Sequence, residues 1–253
     1  MTIKDLYIEP SGISGPEKRF YFSSIGPTFD GRIKPDVMAL GRQIGSDQRL
    51  ILASSVGSCD FYISFGTSYA APEIAGAAAL VHQYFEEGRY KGIPHDASAA
   101  LMKAMLINSG DRLFGPSNNI PFPDDYPSIW QGWGEPKLVT VLELPGLLRR
   151  LIFRDVSETQ GFKESSDVPH SYPITVYSSS EELRVTLVWT DEPGAEGTGK
   201  QLINDLDLKV RRPDGTIYLG NDFDTANAQS KLGGARDSVN NVESVHISSP
   251  STG

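Results

Sequence analysis

The sequence predicts an α/β region over residues 1–149, followed by an all-β sandwich over residues 150–253. The first region combines short strand-like runs with two apolar helical stretches. The second alternates apolar and polar residues in short runs separated by turns, a pattern typical of β-sandwiches. The two patterns meet at Arg149-Arg150, where we place a domain boundary.

Composition narrows the function classes before any motif is considered. The 253 residues include 23 Lys and Arg against 32 Asp and Glu, a formal net charge of -9. This acidic balance argues against a nucleic-acid partner, because phosphate binding needs clustered basic side chains. No apolar run reaches the ~18 residues of a membrane span, and the first residues lack the apolar core of a signal peptide. The single cysteine, Cys59, excludes an internal disulfide and is expected to be a buried thiol, since a zinc site needs more ligands.

Two helices are predicted in the first region. Residues 68–85 are mostly small and apolar, which predicts a helix buried on most sides, with Pro72 placed near its start at no cost. Residues 97–108 show helical spacing and end at Ser109-Gly110. Residues 50–53 and 61–65 are the strand candidates.

The second region is predicted to contain short strands. Residues 183–190 and residues 205–210 alternate apolar with polar side chains, as half-buried strands do. Residues 213–216 read Pro-Asp-Gly-Thr, a turn sequence.

The sharpest local feature is the segment Phe65–Pro72, in which a strand ends in glycine and Ser68 precedes a small-residue helix. At a helix N-terminus, backbone N–H groups and the helix dipole favour developing negative charge. That position suits a serine nucleophile whose attack creates an oxyanion. The alternative is that Ser68 only caps the helix, since serine is a favoured N-cap residue.

Three ordered segments extend this motif. They are Phe22–Thr28, Lys34–Val37 and Gly66-Thr67-Ser68-x-Ala70-x-Pro72. Together they resemble the subtilisin-like serine proteases, the subtilases. The resemblance implies that Ser68 is the nucleophile of an endopeptidase that forms an acyl-enzyme with a polypeptide substrate. Tyr69 stands where the family usually has methionine.

The resemblance continues along the chain. Gln131–Gly134 resembles the end of a subtilase catalytic domain, and three later segments resemble the C-terminal jelly-roll domain of certain alkaline subtilases: Leu202–Leu208, Gly220–Phe223 and Asn240–Glu243. The resemblance therefore implies a partial subtilisin-like catalytic domain, followed by a jelly-roll sandwich that is truncated at its end.

The triad partners of a subtilase are not matched. The family places its aspartate and histidine far ahead of the serine, whereas 67 residues precede Ser68 and contain no histidine. The histidines of this chain are His82, His95, His170 and His246, and none carries a family motif. We therefore expect a fragment that is inactive alone and needs an N-terminal protease segment as partner. The alternative is a non-catalytic binding or scaffold protein that uses the sandwich; the resemblance favours an exported protein.

A second constellation lies in the β region. Asn204, Asp205 and Asp207 place oxygen ligands close together, with Asp191 among the acidic residues that could lie near them. Calcium takes six to eight oxygens in irregular geometry, so calcium is the one cofactor considered and no organic cofactor is expected. The alternative is that these residues form the solvated face of a half-buried strand.

Overall fold

The fold mixes helices with small sheets. The computed structural model describes residues 2–8, 14–19, 23–42, 52–54, 61–63, 66–113, 126–147, 149–163, 168–225 and 227–253. Cys59, predicted to be a buried thiol, lies outside these residues. In the described part of the chain, neither helix combines the length and apolar character needed to cross a bilayer.

The helices are α1 (Thr67–Glu86) and α2 (Ala99–Asn108), with a 3-10 turn at Leu138–Thr140. The strands, in chain order, are β1 (Thr2–Ile8), β2 (Ser14–Arg19), β3 (Met38–Arg42), β4 (Leu52–Ser54), β5 (Phe61–Ile63), β6 (Gly110–Asp111), β7 (Glu135–Pro136), β8 (Leu183–Val188), β9 (Lys209–Arg211), β10 (Ile217–Asp224), β11 (Gln229–Leu232) and β12 (Val242–Ile247). Both predicted helices are confirmed to within two residues at each end.

The strands pair in small groups. The described sheets have the orders β2-β1-β3, with β1 parallel to β3, then β11-β10-β9, β12-β8, β4-β5 and β6-β7. Strand β9 is shorter than the predicted run 205–210, because the backbone N–H of Leu208 donates to the Glu243 carboxylate, 2.6 Å away. A side chain thus replaces a ladder partner at this point.

Helix α1 is less buried than its composition predicts. Its buried side chains are Ala70, Ile74, Val81, Tyr84 and Phe85. The opposite face is exposed, including Leu80 at 56%. The exposed face includes Ala75, Gly76 and Ala79, and alanine combines high helix propensity with little apolar surface. The apolar composition therefore marks a helix buried on one side within this chain, which corrects the prediction.

One core joins the two predicted regions. Val242 of β12 is 2% exposed and packs in the same cluster as Ala70 and Ile74 of α1 and Ile107 of α2. Hydrogen bonds reinforce this contact: the Arg184 guanidinium donates to the Gly110 carbonyl at 2.7 Å. The sheet β12-β8 is therefore fixed against the helices, whereas the boundary near residue 150 stays a prediction.

Glycines allow the segment 131–134 to approach residues 35–38 closely. The Trp133 N–H donates to the Asp36 carbonyl at 2.9 Å, and the Met38 N–H donates to the Gly134 carbonyl at 2.8 Å. Gly132 has φ 58°, and a Cβ there would stand 2.1 Å from the Pro35 carbonyl oxygen. Only glycine meets both conditions.

We predict that Gly132→Ala lowers the free energy of unfolding by about 2–4 kcal/mol, because both the backbone conformation and the close carbonyl oppose a Cβ. Urea denaturation followed by circular dichroism measures the effect. The matched control is Gly76→Ala in α1, where a Cβ meets nothing within 4 Å; it should stabilise by up to about 1 kcal/mol. Equal unfolding midpoints for the two variants would contradict the packing described.

Candidate active site

Ser68 is exposed and is the second residue of α1. Gly66, with φ 154°, precedes the helix, and its N–H donates to the Gly41 carbonyl of β3 at 2.9 Å. The Tyr69 N–H closes the turn on the Gly66 carbonyl at 3.0 Å. The backbone conformation of Gly66 thus turns the chain into α1 and leaves Ser68 at the surface in the first turn of the helix.

The cap position belongs to Gly66, not to Ser68. No side chain forms a cap hydrogen bond at this helix start, and the first turn carries no acidic residue. The hydroxyl of Ser68 is therefore not used as an N-cap, and no carboxylate of the first turn itself offsets the positive end of the helix dipole. This end of α1 can stabilise negative charge that develops beside Ser68.

The start of α1 is held firmly. Ala70 is fully buried and Ile74 is 9% exposed. The Glu73 carboxylate accepts a hydrogen bond from the Leu40 N–H of β3 at 2.8 Å. These contacts fix the first two turns of the helix against the sheet, so the position of Ser68 is set by the buried core.

Pro72 lies inside α1, as its sixth residue. The sequence prediction that it costs nothing is wrong, because only the first helical turn lacks intrahelical N–H partners. At this position the missing N–H deprives the Ser68 carbonyl of its usual i+4 donor.

Asp36 is held by two ammonium groups rather than placed near a histidine. Its carboxylate pairs with Lys34 and, at 3.0 Å, with Lys103 of α2. Burial opposes ionisation, but the two lysines outweigh it and lower the pKa of Asp36. This arrangement ties the segment before β3 to α2, a structural role.

In the described part of the chain, the hydrogen bonds and ion pairs of His82, His95 and His170 join residues other than Ser68. His82 lies near Glu86, 3.5 Å away on α1, and 14 residues of helix place it about 21 Å from Ser68. His246 is 1% exposed in β12, where burial lowers its pKa to about 3. The geometry therefore gives no described histidine the role of base for Ser68.

His95 takes part in a cluster of hydrogen bonds at the start of α2. Its Nε2 lies 2.8 Å from the Asp155 carboxylate, which also accepts from the Ser98 hydroxyl at 2.6 Å. Ser98 caps α2 through the Leu101 N–H at 3.0 Å. Burial opposes ionisation of Asp155, but hydrogen bonds from Ser98 and His95 lower its pKa. These hydrogen bonds join the loop before α2 to the segment that contains Asp155. Asp155 lies between Ser98 and His95, so the histidine does not contact the serine as it would in a catalytic triad.

Glu243 is a buried carboxyl group that the sequence did not single out. It is 1% exposed, and its Oε1 has no hydrogen-bond partner among the described residues. Burial raises its pKa to about 8, and nearby Asp237, Asp207 and Asp205 add to the rise. Its place in the Asn-Asn-Val-Glu segment was the only available sequence signal.

The candidate calcium ligands engage other residues. The Asn204 amide donates to Asp191 at 2.7 Å. Both oxygens of Asp207 contact the Arg236 guanidinium, at 2.7 and 2.6 Å. Asp205 lies 3.9 Å from the Lys200 ammonium. No group of three or more His, Cys, Asp or Glu side chains suited to a metal occurs among the described residues, and calcium stays a prediction.

Comparison with known proteins identifies the family of the serine-bearing part. Residues 11–134 match the subtilase family, Peptidase_S8. This stretch includes Ser68 and the contacts between segments 35–38 and 131–134. The chain therefore carries a subtilase segment, and the family resemblance is confirmed there.

Curated relatives extend over more of the chain. The serine protease/ABC transporter B family protein tagA of Dictyostelium discoideum is 31% identical over 256 residues, covering 89% of this chain and 13% of that protein. The related tagB of the same organism is 29% identical and covers 89% and 14%. C5a peptidase of Streptococcus pyogenes is 34% identical over 93 residues, covering 37% of this chain and 7% of that protein. The chain thus spans a small fraction of the length of the relatives it matches.

The raised pKa of Glu243 predicts how the free energy of unfolding depends on pH. Its folded pKa of about 8 stands above the ordinary 4.5, so the unfolded chain ionises first. The stability that the neutral carboxyl group provides is complete below about pH 4.5 and is lost as the pH rises through about 8. Glu243→Gln should therefore gain stability relative to the parent on the order of 1 kcal/mol per pH unit between those limits.

Urea midpoints at pH 5.5 and pH 7.5 measure this difference. Glu181→Gln, a change at an exposed side chain, is the matched control and should follow the parent at both pH values. If the urea midpoints of Glu243→Gln and the parent differ by the same amount at both pH values, the pKa of the carboxyl group is not raised and the prediction is wrong.

The calcium prediction is tested separately. A site built on Asp205 and Asp207 predicts that calcium raises the melting temperature of the chain above its value in a chelator. Asp205→Asn should abolish the increment, whereas Glu196→Gln, at an exposed side chain, should retain it. An unchanged melting temperature with and without chelator would remove calcium from the account.

Proposed function

We propose that Ser68 is the nucleophile of a subtilase-type serine endopeptidase. The observation that carries the proposal is an exposed serine at the start of α1, inside the segment that matches the subtilase family. Attack of its hydroxyl oxygen on a scissile carbonyl forms an acyl-enzyme and expels the amine, and water then releases the acid. The substrate is a polypeptide, the class that the family cleaves.

The environment of Ser68 supports the step that develops negative charge. The first turn of α1 offers N–H groups without intrahelical acceptors, and no acidic side chain lies in that turn. Donors aimed at a developing oxyanion are worth more than donors aimed at the ground state. The fixed helix start keeps these groups in place while the carbonyl becomes tetrahedral.

The proposal also requires a general base, which a partner segment would supply. A serine hydroxyl is a weak nucleophile until an adjacent histidine takes its proton, and an aspartate orients that histidine. We therefore assign the histidine and aspartate to a further protease segment that acts together with this chain. In subtilisin, loss of the base lowers kcat by on the order of 10⁶, so we expect this chain alone to be inactive.

Three further features are part of the same proposal. The β region would form a jelly-roll sandwich, in keeping with the antiparallel pairs β12-β8 and β10-β9. The protein would be exported, as the family resemblance favours. The alternative, a binding or scaffold protein without catalysis, is an outcome of the test below.

Labelling with a fluorophosphonate probe tests the nucleophile directly. We expect the protein, in cells that express it with its complete protease sequence, to take up the probe on Ser68, and Ser68→Ala to lose nearly all of the label. The reason is that the probe reacts only with a serine activated by a base. Fragment spectra of the tryptic peptide 50–89 identify the labelled residue.

The control variant is Ser249→Ala, at another exposed serine, which should label like the parent. Absence of label from the parent protein would favour the binding or scaffold function. Equal labelling of Ser68→Ala and the parent would place the nucleophile elsewhere.

A further inference from the structure

Two basic residues stand side by side at three places in the sequence: Lys18-Arg19, Arg149-Arg150 and Arg211-Arg212. The first pair lies within β2 and the third begins in β9, so strand pairing holds their backbones. Of the three, the pair Arg149-Arg150 alone has both residues outside helices and strands. This pair also stands at the boundary that the sequence predicts between the α/β region and the sandwich.

Both arginines of the pair Arg149-Arg150 are exposed, as are the residues Pro145–Leu147 ahead of them. Among the described residues, no backbone–backbone hydrogen bond involves residues 149–156. The Arg149 guanidinium lies 3.5 Å from the Thr140 carbonyl oxygen, and the Arg150 guanidinium lies 5.4 Å from the centroid of the Tyr177 ring. Neither contact neutralises a charge. The pair therefore presents two positive side chains on an unpaired backbone, the kind of segment at which endoproteases cut folded proteins.

The segment can open without disturbing helices or sheets. Ahead of the pair, Gly146 has φ 87°, and a Cβ at this position would meet nothing within 4 Å, so the turn is surrounded by open space. After the pair, the Leu151 N–H donates to the Glu143 carboxylate at 3.3 Å, and the Tyr90 hydroxyl donates to the Leu151 carbonyl at 3.0 Å. These are hydrogen bonds to side chains, and local opening of such a segment costs far less free energy than global unfolding.

The third basic pair provides a contrast within the same chain. Arg211-Arg212 is followed directly by Pro213, whose ring fixes φ and removes the N–H of the bond to be cleaved. The Arg212 N–H also donates to the Thr216 carbonyl at 2.9 Å, and the Arg212 guanidinium donates to the Ser251 hydroxyl at 2.8 Å. A protease would have to open the turn after β9 before it could bind this pair.

Adjacent arginines define the class of protease that would recognise Arg149-Arg150. The residue before the cleaved bond is selected by one pocket, and a carboxylate in that pocket selects a basic side chain, as in trypsin. The guanidinium group suits such a pocket because its planar fork binds a carboxylate through two parallel hydrogen bonds. A second arginine one residue earlier offers the same recognition to a second acidic pocket.

We propose that Arg149-Arg150 is a processing site, at which a separate endoprotease with two acidic specificity pockets hydrolyses the peptide bond between Arg150 and Leu151. Water supplies a hydroxyl group to the Arg150 carbonyl carbon and a hydrogen to the Leu151 nitrogen. The new carboxyl group then ionises and the new amine takes up a proton. The product is a two-chain protein, with Ser68 on one chain and the β region on the other.

Contacts across the cleaved bond hold the two chains together. Val242 of β12 is buried in one cluster with residues of α1 and α2, and the Arg184 guanidinium donates to the Gly110 carbonyl at 2.7 Å. Close to the cut, the Phe153 ring lies 4.9 Å from the Phe85 ring between centroids. The chain has a single cysteine, so no internal disulfide joins the two parts. The two chains should therefore stay associated under native conditions and separate in denaturant.

Limited digestion of the folded chain with trypsin tests the access and the association. We expect cleavage at Arg149-Arg150 to be at least tenfold faster than cleavage at Arg211-Arg212, measured by mass spectrometry of intact fragments over time. The cut chain should elute as one peak in native size-exclusion chromatography and as two peaks in urea. Equal rates at the two pairs, or two peaks under native conditions, would contradict the proposal.

The N-terminal residues of the protein made in cells test the processing itself. The protein from cells that express it in full should contain a chain that begins at Leu151, identified by labelling of free amines before digestion. Arg150→Gln should abolish this N-terminus, and Arg149→Gln should reduce it at least tenfold because the second pocket loses its guanidinium. The matched control is Arg154→Gln, at an exposed single arginine, which should be processed like the parent.

Two outcomes overturn the proposal. In the first, no chain begins at Leu151. In the second, Arg149→Gln is processed like the parent, which would show that one basic residue suffices. Ser68→Ala should still be processed, because the proposed protease is a separate enzyme; loss of processing in this variant would show self-cleavage instead. The result is independent of whether Ser68 is the nucleophile proposed above, since the fluorophosphonate label reports on that serine alone.

Discussion

The packing of α1 against β3, α2 and the segment 131–134 is the constraint on which the rest of the structure depends. Trp133 is 1% exposed and lies in one cluster with Ala70, Ile107 and Val242. Small side chains on α1 allow this approach, and glycines in the segment 131–134 allow the backbone to reach residues 35–38. Apolar burial of this kind stabilises the fold at roughly 25 cal/mol per Å² removed from water.

The same packing gives Ser68 its place. The buried residues of α1 lie from Ala70 onward, and Glu73 ties the helix to the backbone of β3. The exposed end of the helix then carries the serine, with first-turn N–H groups and no acidic side chain within that turn. A rigid helix that presents a polar group at its positive end is a general way to prepare a site for developing negative charge. The buried face of α1 thus holds the helix in place, and its exposed N-terminal end carries Ser68.

Local pattern predicted the helices well because their signals are local. The end of α2 at Asn108 was predicted, whereas its start at Ala99, after the Ser98 cap, lies two residues beyond the predicted one. The length of β9 did not follow, because it depends on Glu243, which is distant in sequence and accepts the Leu208 N–H. Burial of Glu243 and His246 was missed for the same reason, since both lie in β12 between the helices and β10 and are covered by tertiary contacts.

The candidate site was also predictable only where its signals are local. A short motif and its ordered neighbours predicted Ser68, and its position at the helix start agrees with that motif. The partners of Asn204, Asp205 and Asp207 were not predictable, because Arg236 reaches Asp207 from a distant part of the chain. Sequence spacing shows which oxygen atoms are near one another along the chain, and it does not show which cation reaches them first.

The central claim, that Ser68 is a nucleophile, is tested most directly by trapping its acyl intermediate. This chain, together with the protease segment that supplies its histidine and aspartate, would be mixed with an activated peptide ester and quenched in acid within milliseconds to seconds. The protein would then be digested and examined by mass spectrometry. The account predicts an acyl group of the ester's mass on Ser68, formed faster than it hydrolyses. An acyl group on another residue, or hydrolysis of the ester with no acyl group on Ser68 at any time, would contradict it.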